Sequence, residues 1–280
     1  MSRFGMERDY VGEQGYIEMV EDIFTHGETR GDRTGTGTVS LFSPGSLRFK
    51  DVNSRFPLFT TKKMAWKSIL AETLWWAQGR FDLESLRADG CSWWDPWERD
   101  DGTLGFVYGK QLRHWTRPDG TEHDQLAWVI NEIQTNPESR RLVMTMWNAG
   151  ELDNMALPPC HGALIQLYVR DQGTLDLAVN IRSSDVFLGL PTNVAGYALL
   201  LKMVAHETNM VAGDLVVHLG DAHIYLNHMD AVTELLKRSP TQEPNVDIDY
   251  NVYSVDSMNT KDFTLSNYNP QGPIKAPISV

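Results

Sequence analysis

Met155-Ala-Leu-Pro-Pro-Cys160-His161-Gly162 opens a stretch that passes Arg182-Ser183-Ser184-Asp185 and closes on Leu190-Pro191-Thr192-Asn193. A cysteine and a histidine stand side by side behind two prolines, and an Arg-Ser-x-Asp cluster follows one hairpin later. The long strands of the chain fall here, with helical segments before and after. That order predicts an α+β fold, a single domain over residues 1–280 with a large mixed or mainly antiparallel sheet flanked by helices. The chemistry predicted for the stretch is a positioned thiolate beside an anion-binding arginine.

A cysteine acts as its thiolate, and nearby arginines lower its pKa from a free value of about 8.5. Read as strand neighbours, Cys160 and His161 point to opposite faces, so a protease-like couple is geometrically poor. Zinc is disfavoured, because Cys91 and Cys160 form no C-x-x-C pair and His223/His228 have no cysteine pair to complete a site. Two readings of Cys160 remain: a nucleophile adding to an electrophilic carbon, or a buried structural cysteine.

Working outward, 280 residues with nine Trp, nine Tyr and ten Phe can fill a sizeable core. The formal charge of −12 argues against a general electrostatic binder of DNA or RNA, so an anionic ligand must be caught by local arginines. Two cysteines make no disulfide framework and predict a reducing, cytoplasmic compartment. The first ten residues carry no apolar core of a secretory signal. The best apolar run, Val194 to Leu201, stops at Lys202, short of the roughly 20 residues of a membrane span.

Along the chain, helical spacing predicts helices over 9–27, 64–78, 127–134, 194–207 and 229–238. Val39 to Lys50 reads as a hairpin around Ser43-Pro44-Gly45-Ser46, with further strands over 142–147 and 213–219. Arg30 to Thr38, rich in turn formers, is either a connector or a loop whose N–H groups and arginine hold a phosphate. Glu72, inside an apolar helix, is either a solvated face residue or a buried carboxylate with a task. Trp93, Trp94 and Trp97 are either core packing or a wall for a flat ring.

Several of these motifs together resemble thymidylate synthases: Arg33-Thr-Gly-Thr-Gly-Thr, Trp94-Asp-Pro-Trp97, Tyr108-Gly-Lys-Gln, Ser139-Arg140-Arg141, Leu157-Pro-Pro-Cys160-His161, Arg182-Ser-Ser-Asp185 through Asn193, Gly220-Asp-Ala-His223-Ile-Tyr225, and the end at Val280. The resemblance runs in order from about Ile17 to Val280. It implies reductive methylation of dUMP at C5, with 5,10-methylenetetrahydrofolate as donor of carbon and hydride and no metal. Cys160 would add to C6. Arg33, Arg182 and Ser183 would hold the phosphate, completed by Arg140 and Arg141 across a homodimer built on a sheet face. Asp185 would stand at both nucleotide and folate, Asn193 would select uracil over cytosine, and His223 and Tyr225 would bind the sugar. Glu72, His161 and Tyr108 would move protons. Lys62, Trp93, Trp94, Trp97, Leu157, Leu188, Gly189, Thr192 and Val280 would bind and cover the folate.

The sequence departs from the family at three places. Ile181 and Thr192 stand where Gln and Phe are common, and Trp93 stands where an aliphatic residue precedes Trp94. Trp93 and Thr192 form a large-for-small and small-for-large exchange about the folate ring that keeps total volume similar. Ile181 opens an alternative outcome, capture of the methylene by water to give 5-hydroxymethyl-dUMP. A non-catalytic nucleotide- or RNA-binding relative is the third reading.

Overall fold

The computed structural model describes residues 8–170 and 173–279, so the expected folate contact of Val280 lies outside the described residues. The chain begins with β1 (Arg8–Val11), α1 (Gly12–His26), β2 (Glu28–Arg30), β3 (Thr38–Phe42) and β4 (Gly45–Phe49). Then come α2 (Trp66–Ala77), α3 (Leu83–Ala88), α4 (Gly109–Arg113), the short pair β5 (Trp115–Thr116) and β6 (Glu122–His123), α5 (Gln125–Thr135) and β7 (Val143–Met144). The second half holds β8 (Leu164–Arg170), β9 (Thr174–Asp185), α6 (Gly189–Glu207), β10 (Val211–Tyr225), α7 (Met229–Leu235), β11 (Asn245–Ile248) and β12 (Phe263–Ser266).

The main sheet runs β1-β4-β10-β9-β8-β7, with β3 also on β10 and β2 on β3. β8 and β9 are antiparallel, while β9 and β10 run parallel with α6 as the crossover, which makes the sheet mixed. The α+β class with a helix-flanked mixed sheet is therefore as the sequence order predicts.

The hairpin expected over 39–50 does not form. β3 and β4 pair with β10 rather than with each other, Phe42 opposite Asp221 and Ser46 opposite His218. Ser43, at φ 53, kinks the chain without reversing it, and the long β10 offers an edge for both strands. Other boundaries move in the same sense. β10 extends through His223 and Tyr225, which were expected beyond the strand, and the strand predicted at 142–147 shrinks to β7. α6 begins at Gly189 because Pro191 falls in its first turn, where no N–H is owed to the helix.

α6 is buried on nearly every side, packed between β9, β10 and α2, as a helix apolar all round must be. Lys202 is tolerated there because its Nζ donates to the Asn53 carbonyl at 3.2 Å. At the other end of the core, the buried Glu13 of α1 accepts from the backbone N–H and hydroxyl of both Thr60 and Thr61. Those bonds fix the segment that carries Lys62. No helix among the described residues is long and apolar enough to cross a membrane.

Candidate active site

Cys160 lies on the loop that leads into β8, not on a strand, so the alternation argument does not apply to it and His161. The loop is braced from β9. The Cys160 carbonyl accepts from Arg182 N–H at 3.0 Å, while Arg182 Nε and Nη2 donate to the carbonyls of Pro159 and Pro158 at 2.8 and 3.0 Å. The guanidinium also lies 4.9 Å from the centre of the Trp147 ring. Gly220 on β10 permits this fit, since a Cβ there would meet the Arg182 carbonyl oxygen at 2.5 Å. Burial pushes the Cys160 thiol up, and the positive charges of Arg182 and Arg33 oppose that shift.

His161 turns into the interior, where Nδ1 meets Tyr197 Oη at 2.7 Å and the ring stacks on Tyr108 with centroids 4.7 Å apart. Gly162 makes this possible: at φ 71, a Cβ would lie 2.8 Å from Tyr197 Oη and 2.1 Å from Met146 Cε. Burial pushes the His161 pKa down to about 3, so the ring is neutral at ordinary pH. Tyr197, one helical turn beyond Asn193 on α6, was missed in the sequence, although the i, i+4 spacing from Asn193 was its signal.

Glu72, on α2, is a carboxylate with a partner rather than a solvated face residue. Trp94 Nε1 donates to its Oε1 at 2.6 Å, and burial raises its pKa to about 7 against the pull of that bond. The Trp94 ring lies between Trp97 and Tyr108, at centroid distances of 5.5 and 5.4 Å. Tyr108 is buried, holds φ 37 and shares a hydrogen bond with the Cys160 backbone. Trp94, Trp97 and Tyr108 thus form a continuous aromatic wall ending at Glu72 and the thiol loop. Trp93, Leu157, Leu188 and Thr192 are half-buried, the Thr192 hydroxyl reaching the Leu188 carbonyl at 3.3 Å.

In the loop over residues 30–38, backbone amides are engaged within the loop. Asp32 takes the N–H groups of Thr34 and Gly37 at 2.9 and 2.7 Å, so those amides serve the loop itself. The Arg33 side chain in the same loop is exposed. Ser183 is half-buried beside Arg182, and the neighbouring buried Ser184 Oγ has no hydrogen-bond partner. Asn193 is half-buried near the start of α6, which begins at Gly189. His223 Nδ1 lies 3.3 Å from Asp221 Oδ1, and the His223 ring meets the Tyr225 ring edge-on at 5.2 Å. Arg140 and Arg141 are exposed on the turn between α5 and β7.

Asp185, at the end of β9, caps the approach to α6 by accepting from Phe187 and Leu188 N–H at 2.9 and 3.2 Å. Lys62 is turned inward: its buried ammonium donates to the Phe187 carbonyl and lies 3.9 Å from the Phe187 ring centre. Burial lowers its pKa to about 8, against the charge of Asp185.

The sequence model of the family described as thymidylate synthase matches residues 14–280. The chain belongs to the thymidylate synthase family. It is similar to a curated relative named thymidylate synthase from Coxiella burnetii (strain Dugway 5J108-111), 44% identical over 265 residues, which cover 95% of this chain and 99% of the relative. The thymidylate synthase family uses methylenetetrahydrofolate as co-substrate.

Proposed function

We propose that the protein methylates dUMP at C5 to give dTMP, with 5,10-methylenetetrahydrofolate as co-substrate. One observation carries the reading: the Cys160 thiol lies in the fields of Arg182 and Arg33, on a loop held by Arg182 and beside the aromatic wall. The thiolate adds to C6 of the uracil ring, which makes C5 nucleophilic and divides one hard step into easier ones. When bound, the folate supplies the one-carbon unit and the hydride.

Arg33, Arg182 and Ser183 hold the 5′-phosphate, as guanidinium geometry suits. Arg140 and Arg141 of the partner subunit complete that site. A homodimer through the open sheet face is supported by β8, where Leu164, Gln166, Tyr168 and Arg170 alternate outward and Tyr168 is 64% exposed. Asn193 donates to O4 and accepts from N3–H, favouring uracil, and His223 and Tyr225 bind the 3′-hydroxyl. Glu72, poised near neutrality, moves protons with Tyr108 and the neutral His161. Trp93, Trp94, Trp97, Leu157, Asp185, Leu188, Gly189 and Thr192 enclose the folate, and Val280 covers it. Lys62 serves that pocket from behind, through Phe187. Residues 1–280 act as one catalytic domain, in a reducing cytoplasm that keeps Cys91 and Cys160 free.

Ile181 is buried on the core face of β9, and the presence of Trp94 and Leu157 to shield the methylene favours reduction over hydration. Mixing protein, dUMP and methylenetetrahydrofolate tests this directly. A rise in near-ultraviolet absorbance marks dihydrofolate and methylation; tetrahydrofolate with 5-hydroxymethyl-dUMP marks the hydroxymethylase instead. A 5-fluoro-dUMP complex that survives Cys160→Ala unchanged would leave only a binding protein.

A further inference from the structure

The 3-10 turn that follows β10 carries a histidine with no part in the reaction above. His228 is fully buried, with its ring 5.6 Å from Phe187 and 5.5 Å from Tyr225. Its Nε2 meets the backbone oxygen of Pro277 at 2.7 Å. A carbonyl can only accept, so Nε2 carries a proton. Its Nδ1 faces Asp185 Oδ1 at 3.7 Å, too far for a hydrogen bond, and is otherwise unpartnered. The ring therefore stands between the carboxylate at the entrance to α6 and the C-terminal segment.

We infer that His228 is a positioning residue that ties the C-terminal segment to Asp185, and that its protonation sets how firmly that segment is held. The inference rests on the proposed function only in taking this segment as the folate cover. With Nε2–H given to Pro277, a neutral ring presents a lone pair to the Asp185 carboxylate, which repels it. A proton on Nδ1 turns that contact into attraction and strengthens the Nε2 donor as well. The charged groups facing the ring are Asp185 from β9 and Lys62 from the segment before α2; the Tyr225 phenol of β10 is neutral. Burial alone would lower the His228 pKa, but the Asp185 carboxylate and the Pro277 carbonyl outweigh it and hold the value above 6.5. The sign follows: the tether is complete below the ordinary histidine value and is lost as pH rises through the raised one. Ser279 Oγ, at 3.3 Å from both Thr36 Oγ1 and Asn227 Nδ2, is a second attachment that does not titrate.

The test pairs amide exchange at residues 274–279 with steady-state kinetics, in wild type and in His228→Gln, which keeps a neutral donor. In the wild type, exchange corrected for its intrinsic pH dependence accelerates on the order of fivefold between about pH 6 and pH 8.5. KM for the folate rises in parallel while KM for dUMP does not. His228→Gln shows neither slope. Exchange without a pH slope in the wild type, or the same slope in the variant, overturns the inference. Failure of the wild type to form dihydrofolate would count against the proposed activity instead, and the exchange measurement would still decide the role of His228.

Discussion

The Trp94 indole N–H donates to Glu72 Oε1 at 2.6 Å, inside a site where burial raises that carboxyl to about pKa 7. That bond stabilises the ionised carboxylate and so opposes the effect of burial on Glu72. Replacing Trp94 by Phe removes the donor, and the pH at which Glu72 titrates should climb by about one unit, the equivalent of a hydrogen bond worth ~1.4 kcal/mol. The pH profile of kcat/KM reports it as a shift of the limb set by Glu72.

Glu72→Gln separates catalysis from stability. A carboxyl whose folded pKa is raised favours folding in its neutral form, so the wild type loses stability as pH rises from its ordinary 4.5 toward about 7. The amide carries no such cost. At pH 8 the variant should be more stable by about 1–3 kcal/mol, with the difference fading toward about pH 4.5. Turnover should fall by roughly 10²–10⁴. Urea titrations at the two pH values, with rate measurements, check both halves.

Arg182→Gln should raise the Cys160 thiol pKa further, since burial is then opposed by Arg33 alone. Alkylation with iodoacetamide as a function of pH reads this without substrate. Equal alkylation profiles in wild type and variant would show that Arg182 does not govern the thiol.

Tyr197→Phe leaves the buried His161 Nδ1 without its partner at 2.7 Å, which should cost about 1–3 kcal/mol in chemical denaturation. Gly162→Ala should destabilise as well, because its Cβ falls 2.1 Å from Met146 Cε at a φ of 71. Loss in Tyr197→Phe should extend to turnover, since His161 then no longer has a fixed orientation against Tyr108.

Two inactive variants should complement each other if the phosphate site is shared between subunits. Cys160→Ala lacks the nucleophile, and the double variant Arg140→Ala/Arg141→Ala lacks the reaching guanidinium groups. Mixed and allowed to exchange subunits, they should recover about a quarter of the wild-type sites, because half the dimers are mixed and each has one intact site. No recovery after verified exchange argues against sharing.

The residue types that name the chemistry stand in the sequence as local motifs: Cys160 behind two prolines, Arg182 with Ser183 and Asp185, Asn193 at the head of an apolar helix. The α+β class followed from the order of helical and extended runs, because periodicity is a property of neighbouring residues. Partners are not. The sequence shows Trp94 and Glu72 as separate options, and only packing across 22 positions makes one the donor of the other. His161 read as a neighbour of Cys160, yet its partner is Tyr197, 36 residues away, admitted by the missing side chain of Gly162. The apparent hairpin of β3 and β4 gives way to pairing with β10, more than 160 residues later, which outcompetes the local pairing. What this sequence determined by itself were the elements, their order and the reactive residue types. What tertiary structure alone decided were strand partners, the protonation of Glu72 and His161, and the inward turn of Lys62. Those depend on burial and on distances between residues far apart in the chain, which no local pattern encodes.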